Sequence, residues 1–413
     1  MTATMNFATA RTVQGATWTI GAPRLLAGLD RHATLDLRAH LETHGALPSA
    51  DLQRLLDHLD AIALAGRGGA GFPLAAKIRA LKGGRPEVIV NGTEGEPGSD
   101  KDRTLLRRSP HLVIDGALAL ASTLSARDVR IAVHDAATAA RVRDALAERS
   151  DAGRVQVRQI DGGFVSGEAR ALVRALSGGP ALPPGRREHA TERGQLVLNA
   201  ESAAQVAVAL RMGWRRYADT GSRGEPGTTL LTLGGAVDNP GVVEIPIGTP
   251  LGIVLAAAGA RSPQAAVIGG YHGSWLAPNP SIELSRAGLK SAGGTLGAGV
   301  ILVVGDDTCA LGELAAATNW LAGESAKQCG PCMFGLPALA QDVSALRRGQ
   351  PSAVEVALRH ARSVDGRGAC AHPDGTARFV TSALHLLQDE THLHLHGGCG
   401  RPTRGHLPIG KQP

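Results

Sequence analysis

At 413 residues the chain is too long for one ordinary hydrophobic core, so two or three domains are expected. Hydrophobic residues at 43% and charged residues at 19% supply enough apolar surface to offset chain entropy, which excludes disorder over most of the length. The net charge of +6 is spread along the chain without a basic block, which argues against nucleic acid, and five cysteines, an odd number, do not make a secreted disulfide framework.

The first 18 residues lack the continuous apolar run of a signal peptide, and no stretch reaches about 18 uninterrupted apolar residues. Membrane insertion is therefore not expected, and the cytoplasm is the expected compartment. Residues 1–50 read as an N-terminal extension of short apolar runs and polar turns. Leu52, Leu55, Leu56, Leu59 and Ile62 then recur at helical spacing and lead into Gly66-Arg67-Gly68-Gly69-Ala70-Gly71-Phe72-Pro73. A second helical stretch after Pro73 carries Lys77 and Arg79. The β-branched run Glu87-Val88-Ile89-Val90-Asn91 reads as a buried strand.

Between 111 and 160 the pattern alternates: helix from Leu112, strand Val129–Val133, helix from Ala136 and strand Val155–Val157, followed by a helix over Glu168–Leu176. Alternating β and α elements imply a parallel sheet covered by helices. From Thr228 short strands surround the turn Asp238-Asn239-Pro240, and Leu251–Ala258 is helical, so a small α+β module ending near Val304 is expected. Residues 312–396 hold three or four helical patterns and no convincing strand, as in a small bundle.

Three loops carry the chemistry. The glycines at 66, 68, 69 and 71 leave the backbone free to approach a ligand and expose N–H groups to an anion, with Lys77 nearby. On their own they equally suit a tight helix-to-helix connection. Asn91-Gly92-Thr93-Glu94-Gly95-Glu96-Pro97-Gly98 follows a buried strand directly, and the carboxyl ends of parallel strands are where such sheets bind ligands. Asn91, Thr93 and Glu94 can offer side-chain and backbone groups to a heterocycle or ribityl chain. The third loop, Gly162-Gly163-Phe164-Val165-Ser166-Gly167-Glu168, is aimed at a helix N-terminus and suits a phosphate or a flavin edge.

Gly66–Pro73, Lys77, Asn91–Gly98 and Lys101-Asp102-Arg103 together closely resemble the FMN-site signature of the flavin subunit of respiratory NADH:quinone oxidoreductase (complex I) and of its relatives in NAD-linked hydrogenases and formate dehydrogenases. Gly167-Glu168, Leu198-Asn199-Ala200-Glu201-Ser202, Leu296–Ile301 and Glu324-Ser325 follow in the same order, and the resemblance spans roughly residues 60–380. It implies an α/β fold: a Rossmann-like parallel-sheet FMN domain (51–222), a ubiquitin-like β-grasp, soluble-ligand-binding module (223–304), a helical iron–sulfur bundle (305–396) and a tail (397–413). FMN contacts then fall on Gly66, Gly68, Lys77, Asn91, Glu94, Gly167, Glu168 and Asn199, with Arg67 and Thr93 beside them. Glu96 falls on the nicotinamide side as the catalytic candidate.

The implied activity is FMN-dependent electron transfer from NAD(P)H or another donor to an iron–sulfur centre, beside a ferredoxin-like or other electron-transfer subunit. The alternative is a non-catalytic flavin- or nucleotide-binding scaffold. The family's cluster reads Glu-Ser-Cys-x-x-Cys-x-x-Cys with a distant fourth cysteine, whereas this chain reads Glu324-Ser325-Ala326-Lys327-Gln328-Cys329-Gly330-Pro331-Cys332, with Cys370 as the distant thiol. Ala326 cannot ligate iron, so Cys329, Cys332 and Cys370 remain for a [4Fe-4S] or altered cluster. A fourth ligand from Cys309, His372, Cys399 or an outside molecule, a three-iron cluster, and loss of the cluster are all open. On the nucleotide side Ala169 and Arg170 follow Gly167-Glu168, and Leu182-Pro183-Pro184-Gly185 lacks the family's aromatic platform for adenine, leaving NAD(H) as one of several donors. Near the C-terminus His392, His394 and His396 alternate ahead of Cys399, a pattern read either as a transition-metal ligand set or as a solvated tail.

Overall fold

The computed structural model describes residues 16–185 and 189–410. Residues 1–15, on which most of the leader-peptide reading falls, lie outside them. Strand β1 (Thr17–Thr19) precedes helices α1 (Leu37–His44), α2 (Leu52–Ala61) and α3 (Leu74–Arg79). Then come β2 (Glu87–Gly92), α4 (Lys101–Arg108), α5 (Pro110–Thr123), β3 (Asp128–Val133), α6 (Ala136–Ala147), β4 (Val155–Gln159), α7 (Ala169–Leu176), β5 (Gln195–Asn199) and α8 (Ala200–Met212).

The four strands β2 to β5 form a parallel sheet in the order β4-β3-β2-β5. Both faces are covered, which is why Val88, Ile89 and Val90 can all be apolar and wholly buried. Val88 and Val90 pack with residues of α5 and α8, while Ile89 points to the opposite face and meets Leu172 and Val173 of α7. The register pairs Asn91 with Asn199, so two adjacent strands end side by side on polar residues. That edge is where an open α/β sheet presents a ligand site.

After α9 (Trp214–Ala218) and a short hairpin of β6 (Gly221–Ser222) and β7 (Glu225–Pro226), a second sheet begins. It is built from β8 (Thr228–Gly235), β9 (Gly241–Pro246), β10 (Pro263–Ile268), β11 (Ser274–Leu276) and β12 (Val300–Gly305), with α10 (Leu251–Ala257) and α11 (Arg286–Ser291) between strands. Its order is β1-β9-β8-β12-β10-β11, antiparallel except where β1 meets β9 and β12 meets β8. Leu231, Val243, Ile301 and Val303 face α10, whereas Val267, Val300 and Leu302 face the helices that follow. Those are α12 (Ala310–Gly323), a π-type turn at Pro331–Gly335, α13 (Leu336–Arg347), α14 (Ala353–Val364), α15 (His372–Leu386) and α16 (Gln388–Leu395). Five helices thus stand where three or four were expected, because α15 and α16 meet at Leu387 without an intervening loop.

Both ends of the chain are tied in by buried carboxylates. The stretch expected as an N-terminal extension adds β1 to the second sheet, and Glu244 accepts hydrogen bonds from the amides of Arg24, Leu25 and Leu26 at 2.9–3.0 Å. Leu25 and Leu35 are wholly buried. At the other end Glu313 accepts from the amides of Arg404 (3.0 Å), Gly405 (2.8 Å) and Leu407 (3.2 Å), and Leu407 is 1% exposed. The histidine stretch is helical, with His392 and His396 exposed, and the segment after it is tied in because its backbone caps a buried acid. Among the described residues no helix is long and apolar enough to cross a membrane.

Candidate cofactor cleft and thiol cluster

A cleft of about 790 Å³ opens where the parallel sheet, the second sheet and the helical segment meet, within the size range of small-molecule sites. The parallel-sheet part supplies Gly66, Gly68, Lys77, Asn91, Glu96, Gly167, Glu168 and Asn199, eight of the residues singled out in the sequence. The second sheet adds Gly269, Thr295, Gly297 and Ala298, and the helical segment adds Cys370, Ala371 and His372. The glycine turn leaves one wall without side chains. Gly69 has φ +97°, a conformation most residues avoid, and a Cβ on Gly68 would come within 3.3 Å of Asn199 Cβ.

The polar groups of the cleft are held by local structure. Lys77, on α3, donates from Nζ to the Val197 carbonyl at 3.0 Å, and burial lowers its pKa. Asn91 donates from Nδ2 to the Gly167 carbonyl at 2.8 Å, locking the third loop against the end of β2. Asn199 caps α8, accepting from the Glu201 amide at 3.0 Å, and Glu168 caps α7, accepting from the amides of Arg170 and Ala171, each at 3.1 Å. Glu96 is different. Its Oε2 accepts from the Tyr271 amide at 2.9 Å, while Oε1 is buried and has no hydrogen-bond partner. Burial, partly offset by the amides of Tyr271 and Gly98, pushes its carboxyl up to about 7.

Three candidates do not line this cleft. Glu94 folds back to the start of α4 and accepts from the amides of Asp102 (3.2 Å) and Arg103 (3.0 Å), where a helix N-terminus favours a carboxylate. Thr93 turns its hydroxyl onto Asn91 Oδ1. Arg67 sends its guanidinium toward the Thr228 carbonyl and Glu201, away from the cleft. Arg170 is likewise committed: Nε pairs with Glu168 Oε1 at 2.7 Å and another guanidinium nitrogen donates to the Gly185 carbonyl.

Sequence reasoning missed Phe72, Phe164 and His272, which also line the cleft. Phe164 stacks edge-on against His272, Trp320 and His372, with ring centroids 4.8–5.6 Å apart. With aromatics at only 3% of the chain, Phe72 and Phe164 beside glycine loops carried a signal; His272, at a hairpin of the second sheet, carried none.

Next to the cleft stands the thiol group. Cys332, 2% exposed, is pushed up to about 12, first by burial and then by the neighbouring sulfurs of Cys329 and Cys370. The Lys327 amide donates to the Cys332 sulfur and the His372 amide to that of Cys370. Lys327 itself sits at φ 51°, a strained value held in the loop where Ala326 replaces a thiol. Three neighbouring sulfurs, those of Cys332 and Cys370 buried and each facing an amide donor, suit an iron-bound thiolate set, because a cation offsets their mutual repulsion. The other proposed fourth ligands are occupied. His372 shares Nδ1 with His272 Nε2 at 2.9 Å and donates from Nε2 to the Leu321 carbonyl at 2.9 Å, while Cys309 and Cys399 face His394.

A polar-ended parallel sheet, a glycine-walled cleft and a cysteine group at its inner end define a redox protein with two adjoining cofactor sites. Comparison with known proteins agrees. Residues 59–208 match the family described as the Nuo51 FMN-binding domain, and residues 308–394 match the NADH-ubiquinone oxidoreductase-F iron-sulfur binding region. An NADH-quinone oxidoreductase subunit of Streptomyces coelicolor is 29% identical over 411 residues, covering 90% of each chain. The corresponding subunit of Escherichia coli is 28% identical over 402 residues, covering 89% of each. An NAD+-reducing [NiFe]-hydrogenase in the H2-reduced state shares the fold, with a TM-score of 0.80 at 24% identity over 94% of this chain and 68% of that one. The chain is thus similar, over most of its length, to the flavin and iron–sulfur subunits of NADH-quinone oxidoreductase.

Proposed function

We propose that this protein carries electrons from NADH through FMN to an iron–sulfur centre. The observation that carries the reading is the single cleft that gathers Gly66, Lys77, Asn91, Glu96, Glu168 and Asn199 and ends on Cys370. Residues that would hold a flavin and a residue that would hold the cluster thus line one cavity. FMN, when bound, takes two electrons from a hydride donor and passes them on singly.

The chain's own residues orient and insulate that chemistry. Gly66, Gly68 and Gly167 let the backbone approach the cofactor, and Lys77 places a cation at its anionic groups. Asn91 and Asn199 hold the walls through their hydrogen bonds to Gly167 and Glu201, and Glu168 fixes the start of α7. Glu94, Thr93 and Arg67 act one step back, by holding α4, Asn91 and Glu201. Glu96 lines the cleft on the nicotinamide side in this reading and holds or releases a proton near neutral pH. Phe72, 51% exposed at the cleft, offers a free ring face for stacking a heterocycle.

Cys329, Cys332 and Cys370 hold the cluster in this reading, with one corner lacking a cysteine of the usual pattern. We read residues 51–222 as the FMN domain, 223–304 as a β-grasp module and 305–396 as the cluster-holding bundle. A ferredoxin-like subunit is the expected acceptor, its approach favoured by the net charge of +6. The five free thiols suit the cytoplasm.

Anaerobic purification, with assays of FMN, iron and sulfide followed by addition of NADH, tests the reading. About one flavin per chain, bleached by NADH, is expected. A colourless protein without flavin or iron would sink the proposal. Flavin that stays oxidised under NADH would reject NADH as donor.

A further inference from the structure

A second cysteine group stands in the helical segment, built from residues that the flavin cleft and the first thiol group do not use. It joins three parts of the chain: Cys309 at the start of α12, Glu390 and His394 one turn apart on α16, and Cys399 in the segment that follows. The four ligand-type atoms all lie within 4.8 Å of one another. His394 Nε2 is 3.3 Å from Cys309 Sγ, 3.2 Å from Cys399 Sγ and 4.0 Å from Glu390 Oε1. Zinc bonds of about 2.0–2.3 Å in a tetrahedron put ligand atoms roughly 3.3–3.8 Å apart, so these separations need only small adjustment.

The tautomer of His394 is settled by its other nitrogen. Nδ1 lies 2.6 Å from the Arg347 carbonyl, which can only accept, so Nδ1 carries the proton and the Nε2 lone pair faces the two sulfurs. One lone pair cannot satisfy two S–H donors. It does suit a metal, and a histidine that donates its remote N–H to a backbone carbonyl is the usual outer support of such a ligand. The other ligands are supported too. The Gly312 amide donates to Cys309 Sγ at 3.2 Å, the Leu311 amide donates to Glu390 Oε1 at 3.2 Å, and Arg401 pairs with Glu390 Oε2. Two thiolates and a carboxylate around a divalent ion leave one negative charge, which Arg401 balances.

We propose that Cys309, Glu390, His394 and Cys399 bind one zinc ion. Four protein ligands with soft thiolates and an imidazole make a closed, structural site. It ties the C-terminal segment to α12 and α16. The helix also explains the histidine pattern: only His394 turns inward, while His392 and His396 stack on one another outside, with ring centroids 4.2 Å apart.

Elemental analysis of the full-length chain, purified with its iron and flavin, tests the assignment. About one zinc per chain is expected, and Cys332→Ser should lose iron while keeping zinc. Cys399→Ala and His394→Ala should each retain at least ~10-fold less zinc, with FMN kept. Should those variants fail to fold, cobalt loading of the chelated wild-type chain decides: thiolate-to-cobalt charge-transfer bands with tetrahedral d–d bands support the site. Zinc that stays substoichiometric with no cobalt spectrum, a Cys309–Cys399 disulfide in the intact mass, or iron that disappears with Cys399→Ala would each overturn it.

Discussion

Lys101 Nζ lies 3.1 Å from Glu201 Oε2, and both side chains are almost completely removed from solvent. Burial opposes the charge on Lys101, but Asp102, Glu201 and Glu94 more than offset it and hold its pKa above the ordinary value. Glu201 also accepts from the Leu230 amide at 3.0 Å and the Thr229 hydroxyl at 3.1 Å, both on β8. One carboxylate thus joins α4, α8 and the second sheet.

Removing it should be expensive. Glu201→Ala leaves a buried ammonium short of a partner and an amide without an acceptor, and is expected to cost ~3–5 kcal/mol in urea unfolding. A loss under ~1 kcal/mol would mean that Asp102 and Asn199 alone satisfy Lys101.

Glu96 predicts a pH dependence. Its carboxyl titrates at about 7 in the folded chain, above its ordinary 4.5, with burial as the main cause. Stability from the protonated form is present at low pH and is lost as pH rises through 7. Ionisation also places a negative charge beside a cofactor that gains electrons. Flavin reduction by NADH should therefore slow by roughly tenfold as pH rises through 7, and stopped-flow traces of Glu96→Gln should lack this step. An unchanged step in the variant would assign the titration elsewhere.

His44 predicts the opposite limb. Burial, then His40 and Arg211, lowers its pKa from 6.5 to about 3, and Nε2 is buried without a partner. Because the folded value lies below the unfolded one, its stabilisation is complete above pH 6.5 and is lost as pH falls toward 3. Allowing for partial exposure, His44→Gln should recover on the order of 1–2 kcal/mol at pH 4, measured by denaturant midpoints at pH 4 and pH 7.5. Equal effects at both pH values would refute the titration.

The two cofactor sites are separable through Cys332, which does not line the flavin cleft. In Cys332→Ser, iron and sulfide should fall by more than half while FMN content and its bleaching by NADH persist. EPR of the reduced wild-type protein, together with its iron-to-sulfide ratio, distinguishes a four-iron from a three-iron cluster. Loss of flavin together with iron would show that the cluster is needed to form the cleft.

Much of the fold was legible in local pattern. Alternation between period-2 and period-3.6 runs marked β2, β3 and their helices, because a covered parallel strand requires an apolar run such as Val88-Ile89-Val90 whatever surrounds it. The glycine turn and Asn91–Gly98 announced a ligand site, since few other purposes place glycines and acids at the end of a buried strand. The sequence also determined that the cluster departs from its relatives, as Ala326 has no ligand atom in any conformation.

Tertiary structure alone decided which polar residues face the cleft. Glu94 and Glu96 stand two positions apart, yet one caps α4 and the other lines the cleft with its carboxylate held by the Tyr271 amide. Nothing local linked His272 or Phe164 to Cys370, which arrive from separate elements. The C-terminal segment was the least readable part. Its polar side chains suggested solvent, but its fate rests on backbone amides meeting Glu313 and on Cys399 meeting Cys309 and His394. Hydrogen-bond partners drawn from 85 or more positions away leave no trace in a local window, because the energy that places them appears only once the core has closed.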